Sequence, residues 1–274
     1  MNIRIVSVFL FLLYHSIGTN AQYTVTKVVG AVKNATRNEL LKTGSRISEK
    51  DKLLFSSPSD QVRIIIPGKG TSVLLANPKA IREENTVLEI LKSSFHLKAK
   101  EGYLSGRAGN FESLPEAFET EIGFNQKNLI SPQNKYPFNK EQFSVDDGSQ
   151  FFLQVSLEGQ SSVIRTLKTT GDTLLINAFD FKVPNADMKK AHFELGYYSK
   201  VKNSSQSLAA IQPYIDTTNE MQSIIKVVMQ LYLQKEKSEI EKECYKEVYE
   251  ALGKPSDLTF LKIFNYVYTK RKVK

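Results

Sequence analysis

Short runs of alternating apolar and polar residues, separated by tight polar turns, constrain the fold of this chain most strongly. "KLLFSS" begins at Lys52, "QVRIII" begins at Gln61, and the turn "PGKG" at 67–70 leads into "TSVLL". Alternation with a period of two is typical of strands with one buried face, and a turn rich in glycine and proline favours antiparallel pairing. The pattern therefore predicts an antiparallel β-meander with one apolar face. That face comprises Leu53, Phe55, Val62, Ile64 and Ile66.

Positive charge accompanies these strands. Lys52 and Arg63 fall on the face opposite the apolar set, Lys69 falls at the turn tip, and Lys42 and Arg46 lie in the preceding loop. Residues 22–110 hold fifteen basic and eight acidic side chains, so the excess positive charge of the chain is concentrated there.

The charge predicts a surface for an anionic partner, either an envelope protein or an anionic glycan or lipid surface. Ordinary solvated lysines are the alternative interpretation. We do not expect nucleic acid as a partner, because stacking aromatic residues do not interleave the cations.

The first 21 residues follow the pattern of a secretory signal peptide. Arg4 precedes an apolar run at 5–14, and "TNA" ends at Ala21 as a small-residue cleavage site. The run is shorter than the about 20 apolar residues that a spanning helix needs. We therefore expect a mature protein that begins at Gln22, is periplasmic or secreted, and has no transmembrane segment after cleavage.

Two further segments follow the first. "QFFLQVSL", "SSVIRTLK", "TLLINAFDF" and "AHFELGYY" have the pattern of strands and suit a small β-sandwich. The polar run "SKVKNSSQS" at 199–207 is expected to be a linker to a helical tail. The predicted fold class is therefore α+β, with a β domain at 22–110, a second β-rich domain at 111–200 and a helical region at 201–274.

Helix signals are distributed over all three segments. Ser113 with Glu116, and Thr217 with Glu220, have the spacing of a capping box. Gly253 is expected to end one tail helix, and the next helix starts shortly after it. The segment "EENTVLEILKSS" is ambiguous but fits a short helix that covers the open end of the first sheet.

Residues with catalytic or metal-binding potential are sparse. The mature chain has His96 and His192, each beside apolar residues, and a single cysteine, Cys244, on an apolar helical face. The signatures of zinc hydrolases, serine hydrolases and thiol redox enzymes do not occur. Asp146 and Asp147 fit a turn better than a calcium site.

These observations predict no catalytic residue, no metal and no cofactor, and they favour a non-enzymatic binding or structural role. The alternative is a hydrolase or lyase that acts on an envelope polymer through carboxylates without a recognised motif. Such an enzyme needs a cleft in which two carboxylates meet, about 5–10 Å apart for glycoside chemistry.

Residues 28–75 contain a series of spaced steps. Gly30–Ala31–Val32 begins a strand, "LKTGSRI" begins at Leu41, Asp51–Lys52–Leu53 precedes "SS" after Phe55, and "VRIIIPGKG" ends in a glycine turn. This pattern resembles the small β domain of FecR-type envelope regulators, although no membrane-spanning segment precedes it in the way those regulators have one. The resemblance implies an extracytoplasmic β-rich interaction module of a bacterial envelope protein and does not imply sigma-factor signalling.

Overall fold

Antiparallel β-sheets precede three carboxyl-terminal helices in this protein, so the predicted α+β class is confirmed. The structure is a computed structural model and describes residues 22–67, 70–76, 83–93, 114–118, 126–146, 148–157, 159, 161–182, 190–216 and 218–271. The chain divides into two compact units, Met1–Leu97 and Lys98–Lys274. Within those described ranges, no helix combines the length and the apolar character needed to cross a lipid bilayer.

The described part of the first unit contains two small β-sheets and one short helix. Its elements are β1 (Gln22–Val29), β2 (Val32–Asn34), β3 (Glu39–Leu40), β4 (Arg46–Ser48), β5 (Lys52–Phe55), β6 (Gln61–Ile66), β7 (Gly70–Leu75), β8 (Asn85–Thr86) and α1 (Val87–Ser93). One sheet has the order β4-β1-β6-β7 and the other has the order β3-β2-β5-β8. The chain passes repeatedly between the two sheets, so the predicted meander is wrong, although the hairpin β6–β7 is confirmed.

Glycine 30 explains part of this difference. It has a φ of +78° and separates β1 from β2, which belong to different sheets. A Cβ atom at Gly30 would lie 1.9 Å from Oδ1 of Asp60, so a larger residue here requires the Asp60 side chain to move. A chain that changes sheets at this point cannot continue as a simple meander.

The core of the first unit lies between its two sheets. Most of the predicted apolar face is buried in it: Leu53, Phe55, Val62 and Ile64. Ile66 is only half-buried, because it is the last residue of β6, next to the turn. The predicted short helix is confirmed as α1, and three of its side chains complete this core. They are Val87, Ile90 and Leu91.

The described part of the second unit before residue 216 is mostly β-structure. Its elements are a 3₁₀ turn (Glu116–Phe118), β9 (Asn128–Ile130), β10 (Asn134–Pro137), β11 (Gln150–Leu157), β12 (Val163–Thr166), β13 (Lys168–Thr170), β14 (Thr173–Ile176), a 3₁₀ turn (Ala178–Phe181), β15 (Ala191–Ser199), β16 (Ser204–Ile211) and β17 (Pro213–Ile215). One antiparallel sheet has the order β12-β11-β15-β16, another has the order β10-β14-β13, and β9 pairs with β17 in parallel. An aromatic cluster forms part of the core, with ring centroids 5.0–5.4 Å apart. It consists of Phe138, Phe143, Phe151 and Tyr197.

The predicted linker at 199–207 is wrong. The structure has a hairpin there, in which Ser199 of β15 pairs with Ser204 of β16 across a short turn. The amide of Asn203, whose φ is +46°, donates to the carbonyl of Lys200 within that turn. The first half of β16 is exposed, so its sequence lacks the apolar alternation by which a strand is recognised.

Three helices follow β17 in the described residues. They are α2 (Glu220–Leu231), α3 (Lys237–Leu252) and α4 (Asp257–Arg271). Gly253, with a φ of +117°, ends α3 as predicted. The amides of Glu220 and Met221 donate to the Asp216 carboxylate at 2.9 and 3.1 Å, so Asp216 caps α2. The predicted capping residues Ser113 and Thr217 lie outside the described residues.

Hydrogen bonds connect the helices to the β-structure of the second unit. Nζ of Lys254 donates to the carbonyl of Glu116 at 2.7 Å, and the amide of Lys135 donates to Oγ1 of Thr259 at 3.2 Å. The amide of Leu129 on β9 donates to the Lys254 carbonyl at 2.8 Å. The helices therefore belong to the same compact unit as the second set of sheets, and a domain boundary at residue 200 stays a prediction.

Candidate functional site

Two of the five predicted surface cations lie on the outer face of the sheet β4-β1-β6-β7. Arg46 pairs with Thr24 of β1, and Arg63 pairs with Lys27 of the same strand. The sequence neighbours of these arginines, among them Ile47 and Ile64, are buried in the core, so the arginines point away from it. The strand register therefore brings Arg46 and Arg63 to one face.

Lys27 belongs to the same face and was not among the predicted residues. The β-bulge between Val25 and Lys27 shifts the alternation of β1 by one residue. A bulge moves every later side chain of a strand to the other face, which sequence alternation alone does not reveal. Its only signal in the sequence is the lysine within an otherwise β-branched run.

The other three predicted cations do not join this group. Lys52 lies on the other sheet, where its Nζ is 3.2 Å from Oε2 of Glu84, and both side chains are exposed. Lys42 is exposed in the turn before β4. Lys69 lies outside the described residues. The predicted set therefore divides between two sheets and a turn.

The distribution of charge in the first segment is also informative. Of the fifteen basic and eight acidic residues at 22–110, six basic residues and one acidic residue lie outside the described ranges. The described part of the segment is therefore close to charge balance. A binding surface there depends on how individual cations are grouped, because net charge alone provides little attraction.

A buried carboxylate organises the turns beside Arg46. Asp51 accepts hydrogen bonds from Nδ2 of Asn34 at 3.0 Å, from Nη2 of Arg37 at 2.8 Å, and from the amide and hydroxyl of Ser48 at 3.1 and 3.0 Å. The Nη1 group of Arg37 donates to the Arg46 carbonyl at 2.8 Å. This network fixes the backbone from which Arg46 projects.

A second buried carboxylate has a similar role. Oδ2 of Asp60 accepts the amides of Ser56 and Ser57 at 2.8 and 2.9 Å, which closes the turn between β5 and β6. Asp60 also occupies the space beside Gly30. Like Asp51, it holds a turn in place.

The described residues of the types that the sequence offered for catalysis lie on different elements. Cys244 is fully buried on α3, and burial raises the pKa of its thiol. His192 is exposed on β15, and His96 and Asp147 lie outside the described residues. Asp146 accepts a hydrogen bond from the Ser144 hydroxyl in an exposed turn. Among the described residues, no three His, Cys, Asp or Glu side chains are grouped in a way that could hold a metal ion.

A pocket of about 260 Å³ lies in the second unit, at the amino-terminal end of α2 and against α4. Its walls are mostly apolar and include Pro132, Met221 and Ile263, while Lys262 and Tyr266 contribute polar groups from α4. Sequence reasoning did not find this pocket. Its one visible signal is the spacing of Lys262, Tyr266 and Lys270, which places these residues four apart on one face of a helix.

With this geometry established, comparisons of the chain with protein-family models, with curated proteins and with solved structures found no match.

Proposed function

We propose that this chain is a non-enzymatic binding or structural protein of a bacterial cell envelope. In this proposal a FecR-like first unit contacts an anionic surface or partner, and the helical region contacts another protein. The protein would act in the periplasm or outside the cell after removal of residues 1–21.

The proposal for the first unit rests on the strand register that groups Arg46, Lys27 and Arg63. Lys27 and Arg63 stand directly opposite each other on neighbouring strands, so the register brings two cationic side chains to the same place on the sheet. An extended anionic surface can contact both side chains. Arg46 is exposed on the same face and extends the group across a third strand.

The FecR-like assignment is supported by the environment of the residues that carry the resemblance. Gly30 and Gly44 both have positive φ values, +78° and +91°, at which glycine is favoured. Three apolar positions of the pattern are buried: Leu41, Ile47 and Leu53. These five residues of the pattern thus have turn or core roles that fit a small β domain.

Three of the buried carboxylates have hydrogen bonds that are consistent with a binding role. Asp51, Asp60 and Asp216 accept two or more hydrogen bonds each from backbone amides or side chains of their own turn or helix end. A general acid or base must exchange a proton with substrate. These three carboxylates instead stabilise the local backbone.

Charge reversal tests the anionic-surface proposal. Native membranes are mixed with the mature protein or with the variant Arg46→Glu/Arg63→Glu, and the fraction of protein that sediments is measured at low and high salt. We expect wild type to sediment at low salt and to be released as salt is raised, because exposed charges are screened beyond about 10 Å at 0.1 M salt. The variant is expected to remain in the supernatant at both salt concentrations.

The matched control is Lys168→Glu/Lys202→Glu, which makes the same charge change at two exposed lysines of the second unit. If net charge alone governs binding, both variants lose sedimentation equally. If the Arg46→Glu/Arg63→Glu variant sediments like wild type at low salt, the proposed surface is wrong. Circular dichroism of each variant verifies that it is folded.

A further inference from the structure

The pocket beside α2 and α4 combines an apolar interior with cationic groups. Pro132, Met221 and Ile263 contribute to its walls, and Lys262 of α4 is exposed among the lining residues. At about 260 Å³ it lies just below the range of about 300–1,000 Å³ that is common for small-molecule sites. The volume suits a molecule smaller than a typical drug.

Two more lysines lie beside the pocket. Lys270 follows Tyr266 by four residues, and its Nζ lies 4.5 Å from the centroid of the Tyr266 ring. Lys226 follows the lining residue Gln222 by four residues on α2, so it extends the same face of that helix. A hydrogen bond with Lys270 and the nearby charge of Lys226 lower the pKa of the exposed Tyr266 hydroxyl. The positive charge therefore converges on Tyr266.

The one carboxylate in the described pocket wall, Asp216, accepts hydrogen bonds from the backbone at the start of α2. Asp216 is buried and accepts the amides of Thr218, Glu220 and Met221 at the start of α2. Within the ranges the structure describes, no ion pair joins Lys226, Lys262 or Lys270 to a carboxylate. Three described lysines, Lys226, Lys262 and Lys270, therefore line or flank a pocket whose described wall holds one carboxylate.

We propose that this pocket binds a small amphipathic organic anion, with its apolar body against Met221 and Ile263 and its anionic group at Lys262. Lys226 and Lys270 add to the attraction from the neighbouring turns of their helices. A ligand with two long acyl chains exceeds the volume, so the proposed ligand class is a short aliphatic or aromatic acid. The residues of this site all belong to the second unit, whereas Arg46, Lys27 and Arg63 belong to the first.

Octanoate is the probe for this proposal, and binding is measured on the ¹⁵N-labelled mature protein by NMR titration. We expect saturable shifts of the amides of Met221, Lys262 and Ile263. Two control compounds are tested: neutral 1-octanol, which has the same apolar body, and acetate, which has the same anionic group. We expect each to bind more weakly than octanoate by a factor of about ten or more. Equal affinity for octanol and octanoate would show that charge has no part in binding and would overturn the proposal.

Two variants locate the ligand. Lys226→Gln/Lys262→Gln/Lys270→Gln is expected to weaken octanoate binding by about tenfold or more, whereas the control Lys140→Gln/Lys168→Gln/Lys202→Gln leaves it unchanged. Gln222→Trp is expected to fill the pocket and abolish binding while the amide spectrum remains that of a folded protein. Octanoate affinity that survives either pocket variant places the ligand elsewhere, and the proposal is then wrong. None of these variants alters the first unit, so the result is independent of membrane sedimentation.

Discussion

Two buried carboxylates in this protein hold the backbone in place at turns. Asp51 joins the turn at Arg37 to Ser48, and Asp60 closes the turn between β5 and β6. Such groups stabilise a fold because a buried carboxylate that loses its donors is left with an unsatisfied charge. The tight approach of Asp60 to Gly30 makes the two positions depend on each other.

Gly30→Ala tests this dependence. The substitution introduces a methyl group 1.9 Å from Oδ1 of Asp60 and also places alanine at a φ of +78°. We expect it to lower the free energy of unfolding of the first unit by about 2–4 kcal/mol, measured by urea denaturation. Gly70→Ala is the matched control, because Gly70 has a φ of +91° but no atom within 4 Å of its added Cβ.

The difference between the two variants isolates the steric conflict from the backbone strain. Gly70→Ala is expected to cost about 1 kcal/mol, the usual penalty of a left-handed conformation. Equal losses for both variants would mean that Asp60 moves away at little cost and that the pair does not fix the turn.

At the scale of elements, the sequence was most informative where a buried face or a special turn dictated the residues. The hairpin β6–β7 and the end of α3 at Gly253 were predicted because apolar alternation and a glycine have direct conformational causes. β16 was missed because its first half is exposed and carries no apolar pattern. The Lys27 face was missed because a bulge changes the alternation of β1 without a residue type of its own.

The helical pocket was missed for a different reason. Its walls come from the segment after β9 and from two helices, and no sequence spacing shows that these elements meet. The cationic residues of α4 were visible as a four-residue repeat, but lysines at that spacing are common on exposed helix faces. They lie at a pocket only because α4 packs beside the start of α2 and the segment after β9.

Cys244 permits a prediction about α3 and its packing against α2. The thiol is fully buried, and its Sγ lies 3.8 Å from the Ile225 carbonyl of α2. Burial raises the pKa of Cys244, and the charges of Glu243, Glu241 and Glu247 raise it further. We expect no reaction with a thiol reagent at pH 8 in the native protein and full reaction after unfolding, since the thiolate is the reactive form.

The raised pKa of Cys244 in the folded state makes the free energy of unfolding depend on pH. Because the folded state favours the neutral thiol, its contribution is complete below the unfolded pKa of about 8.5 and is lost as pH rises above that value. The free energy of unfolding is therefore expected to fall between pH 8 and 9.5, by up to about 1.4 kcal/mol per pH unit. Cys244→Ala should reduce this slope. An identical slope in the variant would show that other groups cause the decline.

At the scale of the whole molecule, the division at residue 97 separates two cores that are built differently. The first core lies between two small sheets and is completed by α1. The second unit combines a β core that contains an aromatic cluster with three helices. The hydrogen bonds from Lys254 to the Glu116 carbonyl and from the Lys135 amide to Thr259 connect these layers. We therefore expect each unit to unfold as one cooperative step, with the helices and the second set of sheets in the same step.

Hydrogen exchange at increasing urea concentration tests this expectation in the mature protein. Peptides from β11 and α3 should lose protection at one urea concentration, and peptides from β1 and β6 should lose it at another. Lys254→Met removes a buried donor from the Glu116 carbonyl and is expected to destabilise β11 and α3 by the same amount, about 1–3 kcal/mol. The exposed substitution Lys262→Met, on α4, is the control and should leave both unchanged. If α3 loses protection before β11, the helical region is a separate folding unit. The domain boundary that the sequence predicts near residue 200 would then also be a boundary between folding units.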